Sequence, residues 1–120
     1  MTLTITVFIF LILKDMCWGG TIYAGDWKSG DLHVFDTETE ARSTVGNIAQ
    51  SAFFHGLAYD SVNDIIYATS TSAGYLYEVD RFTGAGALIG NTGFTHPVAL
   101  AFDSRNDILY GFDFHRCIQC

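Results

Sequence analysis

Cys117 and Cys120 carry the C-x-x-C spacing of zinc and dithiol sites, and His115 stands two residues upstream. With Cys17 they would complete a four-ligand set, since thiolate and imidazole are the ligands that tetrahedral zinc takes most readily. A redox C-x-x-C normally opens a helix whose N-terminus stabilises the thiolate. No helical periodicity follows here, and a zinc site on these residues needs both ends of the chain to meet. In an oxidising compartment the pair would instead close a Cys117 to Cys120 bridge, or leave an odd thiol for a second chain. His115, Cys117 and Cys120 are therefore the metal candidates, weighed against incidental or disulfide-forming cysteines.

Asp60, Asn63 and Asp64 invite a calcium or catalytic reading, as do their copies Asp103, Asn106 and Asp107. Calcium takes about six to eight oxygens, and a D-x-x-N-D turn offers too few without a partner loop. A catalytic pair occupies one special place, whereas this set returns 43 residues later. Return in register is what turn-making predicts: the first carboxylate accepts the N–H two residues on, and Asn or Asp takes the left-handed conformation that closes a hairpin. His33, His55 and His96 are scattered, with no G-x-S-x-G, H-E-x-x-H or P-loop pattern beside them. His55 opens an apolar run and His96 precedes Pro97, so both can approach a central channel; histidines satisfied by backbone are the simpler reading. Trp18, Trp27, Phe53, Phe54 and Tyr75 suit either stacking on a sugar or filling gaps between sheets. No catalytic residue and no cofactor motif emerges, and ligand-binding residues stay unassigned.

The elements that must position these groups are set by a repeat. His55-Gly-Leu-Ala-Tyr-Asp-Ser-Val-Asn-Asp-Ile-Ile-Tyr67 returns as Val98-Ala-Leu-Ala-Phe-Asp-Ser-Arg-Asn-Asp-Ile-Leu-Tyr110. A weaker copy lies upstream, where Thr21-Ile-Tyr23, Leu32, Val34-Phe-Asp36, Thr39 and Val45-Gly-Asn47 match Ile65-Ile-Tyr67, Leu76, Glu78-Val-Asp80, Thr83 and Ile89-Gly-Asn91. Short runs rich in Ile, Val, Tyr and Phe, separated by Gly, Asn, Asp and Ser, are strands joined by turns. They fall at residues 21–26, 32–36 and 42–46, then 55–60, 65–69, 75–80 and 87–90, then 98–103 and 108–113. A period of about 44 residues built from four such runs signals one four-stranded propeller blade per repeat. Gly84 stands where the Asp80 turn needs positive φ. Glu40 holds that place in the first repeat, so its turn must differ or be strained.

The chain has 6 basic and 13 acidic residues, 49% hydrophobic and 15% aromatic residues, and a single Pro. That is the composition of an ordered protein. The acidic balance weighs against nucleic acid and anionic membranes as partners, because both need clustered Lys and Arg. Residues 3–13 form an apolar run too short to span a bilayer but of signal-peptide length. Its alternation with Thr2, Thr4 and Thr6 equally suits a buried strand. Residues 1–20 are accordingly a signal-like segment and 21–113 partial propeller repeats. Within these, 21–54 is a first blade lacking its first strand, 55–97 a complete second blade and 98–113 half of a third. Residues 114–120 are an off-pattern tail. A ring closes with about four to eight blades, more than this chain supplies, which points to a piece of a longer propeller.

The strings Gly-Leu-Ala-Tyr-Asp, Asn-Asp-Ile-Ile-Tyr, Tyr-Leu-Tyr-Glu-Val-Asp, Thr-Gly and Leu-Ile-Gly resemble the YVTN and NHL-like repeats of the wider WD40-like propeller class. They look most like blades of secreted bacterial proteins that read GLAFD, LYG and ID-x-x-TG, over about residues 21–113. The resemblance implies an all-β fold, an incomplete β-propeller of four-stranded antiparallel blades. The implied role is a non-catalytic scaffold or binding module, secreted or at the cell envelope, with a protein or carbohydrate ligand and no cofactor. Two alternatives are a small lectin-like protein that closes its ring by self-association through open blade faces, and the remnant of a propeller lactonase or lyase.

Overall fold

A computed structural model of the chain describes residues 11–14, 20–50, 53–114 and 116–119. Every helix or strand among the described residues is a strand. They are β1 (Leu11–Lys14), β2 (Thr21–Gly25), β3 (Asp31–Asp36), β4 (Arg42–Asn47), β5 (Phe54–Asp60), β6 (Ile65–Ser70), β7 (Tyr75–Val79), β8 (Gly86–Asn91), β9 (Pro97–Asp103), β10 (Ile108–Asp113) and β11 (Arg116–Gln119). The strands expected from the repeat appear in place to within a residue at either end. They pair antiparallel into three sheets, β1-β2-β3-β4, β5-β6-β7-β8 and β11-β10-β9, so that each sheet is one repeat. The sheets do not close into a ring.

Two strands depart from the pattern. The repeat assigns the first sheet no opening strand, yet β1 fills that position, pairing Leu11 with Ala24 and Lys14 with Thr21. A strand needs only backbone donors, acceptors and an apolar run, and residues 11–13 supply these without the Gly-Leu-Ala-Tyr-Asp string. Similarly, β11 adds a third strand to the last sheet through residues expected to be off the pattern, with Cys117 opposite Phe112. Residues 1–10 and 15–19 of the signal-like segment lie outside the described residues.

The inner strands of the middle sheet, β5 and β6, are covered on both faces, whereas β8 stays exposed. Towards the first sheet, Leu57, Ile66, Ala68 and Val79 meet Tyr23 and Leu32, with Ile48 and Phe54 closing the gap. Each large side chain removed from water there contributes roughly 2 kcal/mol. Gly46 permits the closest approach: a Cβ on it would lie 2.0 Å from the Thr83 carbonyl oxygen. Beside it the Gly86 N–H donates across the sheets to the Ile48 carbonyl at 3.0 Å. Towards the third sheet, Tyr67 stacks on Phe102 at 5.9 Å, and β9 lies so close to β5 that a Cβ on Gly56 would come within 3.0 Å of the Ala99 carbonyl carbon. The Thr69 hydroxyl is buried at this contact with no hydrogen-bond partner among the described residues.

The repeated carboxylates are turn-makers, as their recurrence predicts. One Asp60 oxygen accepts the N–H groups of Val62 (2.9 Å) and Asn63 (3.2 Å), and the other accepts the Asn63 side-chain amide at 2.7 Å. Asp103 makes the same three bonds at 2.9, 3.3 and 2.7 Å. Burial pushes the Asp60 carboxyl up, but the Asn63 and Val62 donors outweigh it and hold the group below the usual carboxylate range. The Asn106 amide and the Arg105 N–H do the same for Asp103. Asp64 and Asp107 close the two turns with φ of 61° and 57°. In the next hairpin Gly84 has φ 75°, and its counterpart Glu40 has φ 60°. The first repeat therefore keeps the same turn and carries the strain, about 1 kcal/mol for an L-residue held in this region.

Two outcomes are expected in urea unfolding. Glu40→Gly should raise the unfolding free energy by about 1 kcal/mol; an unchanged or lower value would mean that the left-handed turn is not strained. Asp60→Ala should cost about 1 to 2 kcal/mol by removing the buried acceptor of three turn hydrogen bonds whose donors lie nearer the surface, and Asp103→Ala less. Because both carboxyls titrate lower when folded than unfolded, their contribution is complete above about pH 4 and fades as pH falls through the folded values. The acid-induced decline should therefore be shallower in Asp60→Ala.

Candidate functional site

Antiparallel connectivity brings the β2–β3, β6–β7 and β10–β11 turns to one end of the sheets, together with the links that enter β5 and β9. There Trp27, Phe53, His55, Thr71, His96, Val98 and Phe114 line a groove of about 550 Å³. These seven residues reduce to three sets of equivalent positions. Trp27, Thr71 and Phe114 begin the same turn in successive repeats; Phe53 and His96 lead into the inner strands; His55 and Val98 lie within them. At turn-making positions the repeats agree, and here they differ. A nearly symmetric frame thus carries an asymmetric lining.

Each residue is held by its local backbone. The Asp26 carboxylate accepts the Lys28 and Ser29 N–H groups at 2.7 and 3.0 Å, fixing the turn that presents Trp27. The Ser29 N–H holds that carboxyl below its ordinary value. The Trp27 ring tilts over Phe53 with centroids 5.2 Å apart and meets the edge of His55 at 5.9 Å. Thr71 donates its N–H to the Phe53 carbonyl at 2.8 Å, and Phe114 makes the equivalent bond to the His96 carbonyl at 3.1 Å. The His96 N–H donates to the buried Asp113 carboxylate at 3.0 Å, which anchors the link before Pro97. Burial lowers the His55 pKa and keeps its imidazole neutral. With no Lys, Arg, Asp or Glu in the lining among the described residues, the groove suits an uncharged ligand that has flat apolar faces and a few hydroxyls or amides.

His55 and His96, expected near a central channel, share this groove. Trp27 and Phe53 join them, whereas Phe54 is a core residue set edge-on to Tyr77 and Tyr75 packs on Tyr77 from outside. His33 faces elsewhere, 3.0 Å from the Thr44 hydroxyl. Trp18 lies outside the described residues, as do the metal candidates His115 and Cys120 and the side chain of Cys117. Among the described residues no three His, Cys, Asp or Glu converge on a metal position, and no helix is long and apolar enough to cross a membrane. Thr71, Val98 and Phe114 were not foreseen. The repeat offset contains the signal, since they are the counterparts of Trp27 and His55.

A second hollow, of about 400 Å³, lies at the opposite end beside Asp64, Asp80, Arg81 and Phe82. Its chemistry is already engaged. Arg81 donates to Asp64 at 2.8 Å, lies 4.1 Å over the Phe82 ring and reaches the Tyr23 hydroxyl at 3.4 Å, tying the first two sheets together. The Tyr59 hydroxyl donates to Asp64 at 2.5 Å, and burial together with that carboxylate pushes its pKa up to about 12.

No family model and no curated protein matches the chain. Solved structures do. A propeller in a nidogen/laminin complex superposes with a TM-score of 0.71 at 19% identity, over 91% of this chain and 41% of that one. Virginiamycin B lyase from Staphylococcus aureus gives 0.63 at 10% identity, over 78% and 31%. An auxiliary nutrient binding protein from Bacteroides thetaiotaomicron gives 0.54 at 16%, over 78% and 29%. The chain thus spans less than half the length of each. At these identities the likeness is one of fold: the chain is an open arc of an all-β propeller, as the repeat implied.

His55 provides a check on the groove. Its folded pKa lies under the unfolded value near 6.5, so the stability it confers is present above about pH 6.5 and is lost as pH falls through the folded pKa. His55→Phe should flatten the decline of the thermal midpoint between about pH 7 and pH 5; an unchanged slope would show that this imidazole is not the group responsible.

Proposed function

We propose that the chain is a ligand-binding module of a secreted or cell-envelope propeller, its ring completed by sheets other than these three, and that the groove takes an uncharged carbohydrate. The observation that carries this is the asymmetric lining. A structural filler has the same task in every blade, whereas Trp27, Thr71 and Phe114 put three different surfaces at one repeated position facing one groove. Aromatic faces accept the C–H face of a pyranose, and the His55 imidazole can hydrogen-bond a sugar hydroxyl, as can the Thr71 hydroxyl oxygen, which keeps acceptor capacity while its proton goes to the Phe53 carbonyl. A binding role also fits the company of the fold, which includes a nutrient binding protein and a component of a laminin complex.

Titration with a panel of neutral oligosaccharides, read by tryptophan fluorescence and calorimetry, tests this. At least one should bind, and Trp27→Ala should weaken it about tenfold, the scale expected for one aromatic stacking contact. A panel without binding, or equal affinity in Trp27→Ala, would remove the groove as a sugar site.

A further inference from the structure

The groove divides into two cells that the repeat makes equivalent, and the chain's own rings fill only the first. Where the first sheet meets the second, Trp27 from the β2–β3 turn lies over Phe53 and against the edge of His55, with centroids 5.2 and 5.9 Å apart. One repeat further on, the same three positions are Thr71, His96 and Val98, at the junction of the second and third sheets. Thr71 is far smaller than a tryptophan, and its hydroxyl donates back to the Phe53 carbonyl at 3.1 Å. The side chains that would receive a ring at this junction, His96 and Val98, line the groove instead. Phe114 joins them, its N–H bonded to the His96 carbonyl and its side chain 74% exposed.

We infer that the second cell is a sugar subsite of its own, so that the groove holds two consecutive rings of a neutral oligosaccharide: one on the exposed surface of Trp27, the next in the cell that Thr71 leaves open. This rests on the carbohydrate reading of the groove and adds the length of the ligand and the placing of its rings. A pyranose is a compact ring with an apolar C–H face, and it can take at the second junction the place that the indole holds at the first. The two cells hold their rings differently. The first offers the aromatic faces of Trp27 and Phe53, whereas the second offers the apolar side chain of Val98, the ring of Phe114 and the acceptor oxygen of Thr71. A groove of about 550 Å³ also falls among sites for ligands of several rings rather than one.

Calorimetry with matched neutral sugars tests it: glucose against cellobiose and maltose, galactose against galactobiose, and mannose against mannobiose. In at least one set the disaccharide should bind about tenfold more tightly than the monosaccharide, the scale of one further stacked ring. Thr71→Trp should erase that gain by filling the second cell with the chain's own indole, and Phe114→Ala should reduce it. The added indole also reports on the cell without any sugar: the thermal midpoint should hold or rise, and its fluorescence should be that of a partly buried ring. A midpoint clearly below that of the wild type would show that there is no cell to fill and would overturn the inference, as would a gain that survives Thr71→Trp. Equal affinity for one ring and two, lost in Trp27→Ala, would leave the carbohydrate groove standing and remove the second subsite. No binding in any set would remove both.

Discussion

A four-stranded antiparallel sheet with apolar side chains on both faces has no stable existence alone. Strand alternation in this chain does not separate a wet face from a dry one. Ile66, Ala68 and Val79 look one way, Tyr67 and Thr69 the other, and both directions end in protein. Every sheet thus requires two neighbours, and only the middle one has them among the described residues. This requirement explains the close approaches at Gly46 and Gly56, where a side chain would hold the wedges apart, and it explains why large rings such as Phe54 and Tyr23 sit at the junctions. It also accounts for an unpartnered Thr69 hydroxyl: tight apposition of β5, β6 and β9 leaves it nowhere to donate.

Against that uniform frame, differences between repeats acquire meaning. Asp60 and Asp103 perform identical work and are identical, as are Asn63 and Asn106, because a hairpin imposes the same demand wherever it occurs. Asp36 and Asp80 follow the same rule in the next turn. At the groove the demand is not repeated, and neither are the residues. Internal comparison within one chain thus separates architecture from recognition.

The same logic defines what was legible from the amino-acid order. Strand positions and turn chemistry were, because each follows from local alternation and from carboxylates next to Asn, Asp and Gly. That His55 and His96 come to the same end of the sheets was also legible, since one lies at the start of an inner strand and the other just before the next repeat's inner strand. β1 and β11 were not. Pairing at a sheet edge is satisfied by backbone alone, so residues 11–14 and 116–119 take their places without the side chains that mark the other copies. The participation of Thr71 and Phe114 was hidden for a related reason: neither is notable by itself, and only the turn they share with Trp27 brings them to one place. Glu40 was read correctly as an anomaly; the fold keeps the turn and strains the residue.

The turns that face away from the groove are made largely by carboxylates, among them Asp36, Glu38, Glu40, Asp60, Asp64, Asp80, Asp103 and Asp107, with Arg81 already committed to Asp64. The groove end carries few such groups. Among the described side chains, these eight carboxylates stand at that pole beside only three cations, Arg42, Arg81 and Arg105, so the pole is acidic. Near an anionic cell surface or an acidic polymer, such a molecule would turn that pole outward, so that electrostatic orientation alone would present the neutral aromatic end to whatever coats the surface.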